Sequence, residues 1–208
     1  MKAVIVYESM YGNTHHVATA IGDGLGSEAE VVVVPVERAE RELVESADLL
    51  VVGGPTHVHG MSRASTRQAA VDAAKKDDSD LALDPDAEGP GLREWFDGLG
   101  KITAHAAAFD TRMHGLPAVT GRASKGIAKK LRHRGATLLT DPESFLVTKE
   151  THLEVDEEER ARAWGSSSDA LHRRHARRLR ERRHRGRRRV DPGAVPRGQV
   201  RPRVSKSS

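Results

Sequence analysis

Apolar and polar positions alternate along the first half of the chain in a way that predicts strand, loop and helix in turn. Lys2–Tyr7 (KAVIVY) is a short β-branched run. A polar, Gly-containing stretch, Glu8–Thr14, follows it. Val17, Ala20, Ile21, Gly24 and Leu25 then recur at helical spacing, with Gly26 as a stop. The pattern repeats. Glu30–Val36 is apolar at four successive positions, which suits a parallel strand covered on both faces. Arg38–Ser46 predicts a short helix, Asp48–Val52 a third strand, Gly53–Gly60 a loop and 63–75 a helix. Residues 77–90 are acidic and contain Pro and Gly, and predict a solvated excursion with little packing. Leu92, Trp95, Phe96 and Leu99 form an amphipathic turn whose aromatics cover the core. Ile102–Phe109 predicts a fourth strand and Asp110–Gly115 a loop. A helix starts near Ser124 and ends by Arg134, with Ser124 as its cap. Ala136–Leu139 and Ser144–Thr148 read as two pieces of a fifth strand. Val155–Trp164 begins a last helix, with Glu157–Glu159 as solvated charges at its start.

Five strands alternating with helices predict an α/β fold, a doubly wound parallel sheet with helices on both faces. In such sheets ligands bind at the carboxyl ends of the strands, at the topological switch point. In a sheet of strand order 2-1-3-4-5, the loops after the first, third and fourth strands would line one crevice.

Charge divides the 208 residues into two parts. The net charge is +4, but residues 165–208 hold 15 of the 34 Lys and Arg and only 3 of the 30 Asp and Glu, so residues 1–164 carry a net −8. This excludes reading the whole chain as a basic nucleic-acid-binding domain. With no cysteine, a disulfide framework, thiolate nucleophile or Cys-based metal site is excluded as well. No apolar run approaches the roughly 18 residues of a membrane span. The start of the chain lacks the apolar length of a signal peptide, so a cytoplasmic protein is expected.

The candidate chemistry lies in three loops. Ser9, Met10, Tyr11, Gly12, Asn13 and Thr14 join a strand to a helix start, where free N–H groups, the helix dipole and hydroxyls make an anion site without any Lys or Arg. The plainer alternative is a strand–helix turn in which Thr14 caps the helix. Pro55, Thr56, His57, Val58 and Gly60 belong to a Gly/Pro-shaped loop that also contains His59. Two histidines without a third ligand at recognisable spacing make a poor metal site. Asp110, Thr111 and Arg112 form the third loop. Arg112 either stabilises negative charge on a ligand or pairs with Asp110. Gly121–Gly126, ahead of a helix, is a weaker anion candidate. No hydrolase constellation stands out.

Tyr7-Glu8-Ser9-Met10-Tyr11-Gly12-Asn13-Thr14, after an N-terminal strand, resembles the flavodoxin signature Ser/Thr-x-Thr-Gly-x-Thr, with Ser9, Gly12 and Thr14 falling on it and Tyr11 in place of the central Thr. The Met-Tyr-Gly version is similar to that of flavodoxin-like quinone reductases. Gly53-Gly54-Pro55-Thr56 resembles the family's segment beside the flavin ring, and Phe109–Gly115 its second ring-edge loop. The resemblance covers residues 1–164. It implies strand order 2-1-3-4-5 and FMN as cofactor. The first loop would hold the phosphate, and Pro55, Thr56, His57, Asp110, Thr111 and Arg112 would border the ring. The implied function is electron transfer to a redox partner protein, or, as an alternative, NAD(P)H:quinone oxidoreduction, which usually needs a homo-oligomer. Classical flavodoxins often sandwich the ring between Trp and Tyr; neither ring-edge loop here contains one.

Residues 165–208 form an Arg-rich tail. Gly165-Ser166-Ser167-Ser168 reads as a flexible link. His172–Arg189 cannot bury a core and reads as disordered or as a solvated helical extension. Its charge would attract nucleic acid without sequence readout, and a flavin-free binding module acting through it is a further alternative. Arg/Pro/Gly-rich text is also what an out-of-frame reading of GC-rich DNA gives.

Overall fold

The computed structural model describes residues 1–26 and 29–168. The expectations for the Arg-rich text beyond 168 lie outside the described residues.

The elements are β1 (Lys2–Tyr7), α1 (Asn13–Gly24), β2 (Glu30–Pro35), α2 (Arg41–Glu45), β3 (Leu49–His57), β4 (Gly60–Met61), α3 (Ala64–Ala74), α4 (Leu92–Gly98), β5 (His105–Met113), α5 (Pro117–Thr120), α6 (Ala123–His133), β6 (Thr137–Leu138) and β7 (Glu143–Val147). A last helix, α7, spans 157–168. The parallel sheet runs β2-β1-β3-β5 and ends in two short strands, β6 and β7, both paired to β5. This is the expected 2-1-3-4-5 order, with the fifth strand in two pieces. β4 is a small antiparallel addition to β3.

Both faces of the sheet are covered, which is why its strands read as nearly unbroken apolar runs. Along β1, Val4 and Val6 point into one core with Phe96, Ile127 and Leu131, while Ala3, Ile5 and Tyr7 point into the other with Val17, Ile21 and Phe145. Phe109 and Phe145 are fully buried and meet each other and Trp164 edge to face at 6.1–6.5 Å. Burial of each Phe contributes about 2–3 kcal/mol. Trp95 is tied by its indole N–H to Ala39 O at 2.9 Å, and Phe96 lies in the core, as the amphipathic pattern predicts.

Three local expectations are corrected. Residues 77–90 are not a loosely solvated excursion. Ala87 and Asp84 are buried, and Ala87 and Leu83 pack on Met10, Tyr11, Ala70 and Val71. The acidic composition hides those two apolar anchors. Glu157 is not a solvated charge. It is buried against Arg160, which also holds Glu143 at 2.8 Å and lies 4.4 Å over the Phe145 ring. Residues 165–168 are helical, not a flexible link. Ser166 Oγ donates to Gly24 O at 2.7 Å, and Ser168 is buried.

The contact of α7 with α1 depends on two glycines. A Cβ on Gly24 would stand 1.9 Å from Arg162 O, and one on Gly165 would stand 2.3 Å from Ile21 O. Glycine normally weakens a helix by about 1 kcal/mol, but here the backbones approach too closely for any side chain. Gly165→Ala is therefore expected to lower unfolding free energy by about 1–3 kcal/mol, read as a lower urea midpoint with unchanged m. An unchanged or higher midpoint would show that α7 does not dock.

Candidate functional site

Tyr7 pairs with Gly53, and Gly53 with Phe109, so β1, β3 and β5 reach the same level together. Beyond that level β1 stops, but β3 and β5 continue. Gly54 pairs with Asp110 and Pro55 with Thr111, while β7 pairs with β5 from Phe109 to Met113. Gly53–Gly60 and Asp110–Gly115, expected as loops, are therefore strand as far as His57 and Met113. Their Gly, Pro and charged residues carry no strand signal of their own, and ladder partners on β4, β5 and β7 order them.

The first loop turns at Gly12, whose φ of +85° suits glycine. Gly12 N–H donates to Ser9 Oγ at 3.1 Å. The first ladder bond of α1 runs from His16 N to Gly12 O at 2.9 Å, so the N–H groups of Asn13, Thr14 and His15 have no intrahelical acceptor. Thr14 does not cap the helix: no side chain does. Its buried hydroxyl meets that of Thr111 at 2.8 Å. Asn13 Nδ2 donates to Thr151 O at 2.7 Å, and Tyr11 OH to Ala70 O at 2.8 Å. The 77–90 segment straps this loop from outside: Asp84 N–H donates to Met10 O at 2.8 Å, and Asp84 Oδ2 stands 3.4 Å from His15 Nδ1.

The second segment ends in a β3–β4 hairpin with Val58 and His59 at its tip. Both are left-handed, at φ 44° and 70°. Such two-residue turns prefer Asn-Gly, so a β-branched Val there is strained. His59 lies against Gly121, where a Cβ would come within 2.1 Å of His59 Cα. Burial holds the His57 imidazole below its ordinary pKa, so it is neutral at neutral pH.

In the third segment Arg112 does not pair with Asp110. Its Nη1 donates to Met113 O, Gly115 O and Thr120 Oγ1 at 2.9–3.2 Å, and its Nε is a buried donor without an acceptor. Asp110 is fully buried beneath the site. One of its oxygens accepts from Ser124 N–H at 2.7 Å, and Thr56 Oγ1 accepts from Ala123 N–H at 2.9 Å. The start of α6 is therefore capped from β3 and β5, not by Ser124, whose hydroxyl has no partner.

These segments enclose a cavity of about 130 Å³ lined by Ser9, Met10, Tyr11, Asn13, Thr14, Pro55, Thr56, His57, Thr111 and Arg112, together with Met113, Val147 and Thr151. Gly12, Val58, Gly60 and Asp110 do not line it. Sequence reasoning placed Met113 within the Phe109–Gly115 segment without singling it out, and missed Val147 and Thr151. Met113 and Val147 share a register on β5 and β7, and Thr151 takes a left-handed φ of 65°, which no spacing announces. Among the described residues no carboxylate lines the crevice. Glu8 and Asp110 are buried behind it, each with one unpartnered oxygen, and burial raises the pKa of both. A wider hollow of about 460 Å³ beside Lys101, His133 and Arg134 lies ahead of β5 and β6, away from the carboxyl edge where parallel sheets take ligands. Among the described residues no group of three His, Cys, Asp or Glu side chains could hold a metal ion, and no helix is long and apolar enough to cross a membrane.

The flavodoxin family model matches residues 5–164, and the chain belongs to that family. Solved structures similar to it include a flavodoxin from the domain Archaea (22% identity, TM-score 0.55, covering 83% of this chain and 99% of that one). Flavodoxin 1 from Bacillus cereus is similar at 21% identity and TM-score 0.56, over 83% and 99% of the two chains. A WrbA-like flavodoxin from Agrobacterium tumefaciens is similar at 20% identity and TM-score 0.51, over 84% and 98%. At these identities the likeness is one of fold. No curated protein matches the chain. Family membership implies, in general terms, a flavin-binding protein of electron transfer.

The buried Asp110 gives a signed expectation. A carboxyl whose pKa is raised by folding binds its proton more tightly folded than unfolded, so stability rises as pH falls from the raised value toward the ordinary 3.8. Asp110→Asn keeps an acceptor for Ser124 N–H and removes the titration. Wild type is expected to gain stability relative to this variant between pH 7 and pH 4, measured by urea unfolding at each pH. A constant difference would contradict the burial argument.

Proposed function

We propose that this chain binds FMN and transfers electrons through it. The observation that carries the reading is the crevice lining. Hydroxyl, amide and backbone N–H donors converge there with one Arg and no carboxylate, in a region whose net charge is −8. Neutral donors at a helix start suit a phosphate dianion. A Cβ built on Gly12 meets nothing within 4 Å, so a phosphate can approach the backbone there. The orphaned Arg112 Nε–H suits the carbonyl edge of the ring. The residues present therefore fit the cofactor.

Ser9, Asn13 and Thr14 would hold the phosphate; Pro55, Thr56, His57, Thr111 and Arg112 would border the ring. The isoalloxazine supplies the reversible electron-carrying chemistry when bound. The Thr14–Thr111 hydroxyl pair locks the phosphate loop to the ring-edge strand. The neutral His57 adds no charge beside the ring, and the Arg112 guanidinium, fixed by three loop acceptors, favours negative charge at that edge. A redox partner protein would dock at this open carboxyl edge.

Flavin fluorescence quenching tests the reading. FMN is expected to bind, and riboflavin, which lacks the phosphate, to bind much more weakly. Thr14→Ala is expected to weaken FMN about tenfold, the worth of a hydrogen bond to a charged group, and to leave riboflavin unchanged. Equal affinity for FMN and riboflavin would reject the phosphate assignment.

A second reading, an NAD(P)H:quinone oxidoreductase, is favoured by one observation. Tyr11 is the only Phe, Trp or Tyr among the lining residues, and its hydroxyl is held by Ala70 O, so neither ring-edge segment supplies an aromatic cover. Under this reading, anaerobic mixing with NAD(P)H bleaches the flavin within milliseconds to seconds; under the carrier reading the flavin stays oxidised.

A further inference from the structure

Beside the flavin crevice lies a second cavity, of about 160 Å³, between the β3–β4 hairpin, the start of α3 and the Arg93 side chain of α4. Its lining combines two guanidinium groups, of Arg63 and Arg93, with Val58 at the hairpin tip. His57 lines both cavities, so they share a wall. Val58 is held at a cost to the fold. Its φ of 44° is strained for a β-branched residue, and its side chain, 80% exposed, recovers none of that cost by burial. The pairing of His59 with Gly121 sets the tip against the segment that carries Leu116 and Val119, which are also exposed. Four of the five large hydrophobic side chains exposed among the described residues, Val58, Met113, Leu116 and Val119, thus belong to two segments that also line the crevice, through His57 and Met113. Apolar groups exposed together beside a site mark a surface that meets another molecule.

The charge of this face is the reverse of the domain's. Arg93 is fixed by carbonyls alone: Nε donates to Met61 O at 3.3 Å and Ser62 O at 2.8 Å, and Nη2 to Met61 O at 3.0 Å, while Nη1 takes no part in these bonds. The Arg63 backbone is bonded to Thr66 Oγ1 at 2.9–3.0 Å, which fixes the loop and leaves the exposed guanidinium to other partners. Among the described residues neither guanidinium has a carboxylate within 4.0 Å: the nearby Glu94 is engaged by Arg67 at 3.2 Å, and Asp97 by Lys130 at 2.8 Å. Open guanidinium donors bind a carboxylate in a defined, forked geometry.

We propose that this face docks an acidic protein partner, one whose carboxylate side chain enters between Arg63 and Arg93 while an apolar neighbour seats on Val58. Charge selects that partner and orients it. Residues 1–164 carry a net −8, so an acidic protein is repelled over most of the domain and attracted where guanidinium groups lack carboxylate partners. A basic protein would find no counter-charge in this cavity. Docking there covers the wall that His57 shares with the crevice and brings the partner to the crevice mouth. That the partner exchanges electrons rests on the carrier reading; the acid-binding face does not.

The test uses the full chain saturated with FMN, so that the phosphate loop is filled. The probe is an end-blocked peptide, Leu-Glu-Glu-Leu, titrated while the backbone amide resonances of Val58, Ser65 and Thr66 are followed, which separates this face from the Arg-rich tail. Saturable shifts are expected, with an apparent Kd about tenfold weaker in Arg63→Gln and an unchanged FMN affinity. Val58→Asn suits the left-handed backbone but removes the apolar contact, and is expected to weaken the peptide about threefold. The same peptide with Gln in place of Glu is expected to leave these amides in place. Unmoved amides with the acidic peptide, equal binding of the Gln peptide, or an Arg63→Gln variant that binds as wild type does overturn the acid-binding face. Inorganic phosphate that moves the same amides with a lower Kd than the peptide overturns a protein as the occupant. A chain that fails to take up FMN but keeps the Arg63-dependent shifts rejects the flavin reading and leaves the docking face standing.

Discussion

The crevice exists because Tyr7, Gly53 and Phe109 stand abreast in one parallel register. That register permits no side chain at the middle position: a Cβ on Gly53 would lie 2.0 Å from Phe109 Cζ, inside the ring's own volume. The next residue repeats the constraint, since a Cβ on Gly54 would lie 2.6 Å from Leu92 Cδ1. The Gly-Gly pair thus lets Phe109 cross beneath β3 and lets α4 close on its other face. Only then can the loop that leaves β1 converge with the continuing ends of β3 and β5.

What converges is then cross-braced by polar groups. Thr14 joins Thr111, Thr56 and Asp110 cap α6, and Glu8 accepts from Leu92 N–H at 2.8 Å. Two of these braces use buried carboxylates with unpartnered oxygens, so the scaffold stores unfavourable desolvation directly behind the site. The carboxylates face away from the crevice, and the crevice keeps only neutral donors and one guanidinium. An acidic region can in this way present a crevice floor whose described lining holds no carboxylate.

Much of the scaffold was legible in the sequence because apolar runs such as KAVIVY and EVVVV report burial on both faces of a sheet. The strand extensions through Pro55–His57 and Thr111–Met113 were not, since their order comes from pairing: Pro55 with Thr111 on β5, Thr56 and His57 with β4, and Thr111–Met113 with β7. The docking of residues 77–90 turns on Leu83 and Ala87 within acidic text, and the helix through Gly165–Ser168 on backbone proximity to α1, which Gly and Ser do not advertise. Ten of the fourteen candidate site residues line one cavity. The other four are backbone or buried positions that shape it: the left-handed turn at Gly12, the hairpin at Val58 and Gly60, and the capping carboxylate of Asp110.

Whether this crevice holds FMN is read from the visible absorbance spectrum of the purified full chain, with mass analysis of any released flavin. FMN in the crevice requires flavin bands and a mononucleotide, present on purification or after adding FMN. A protein that stays colourless with excess FMN, or that releases only a dinucleotide flavin, would contradict it.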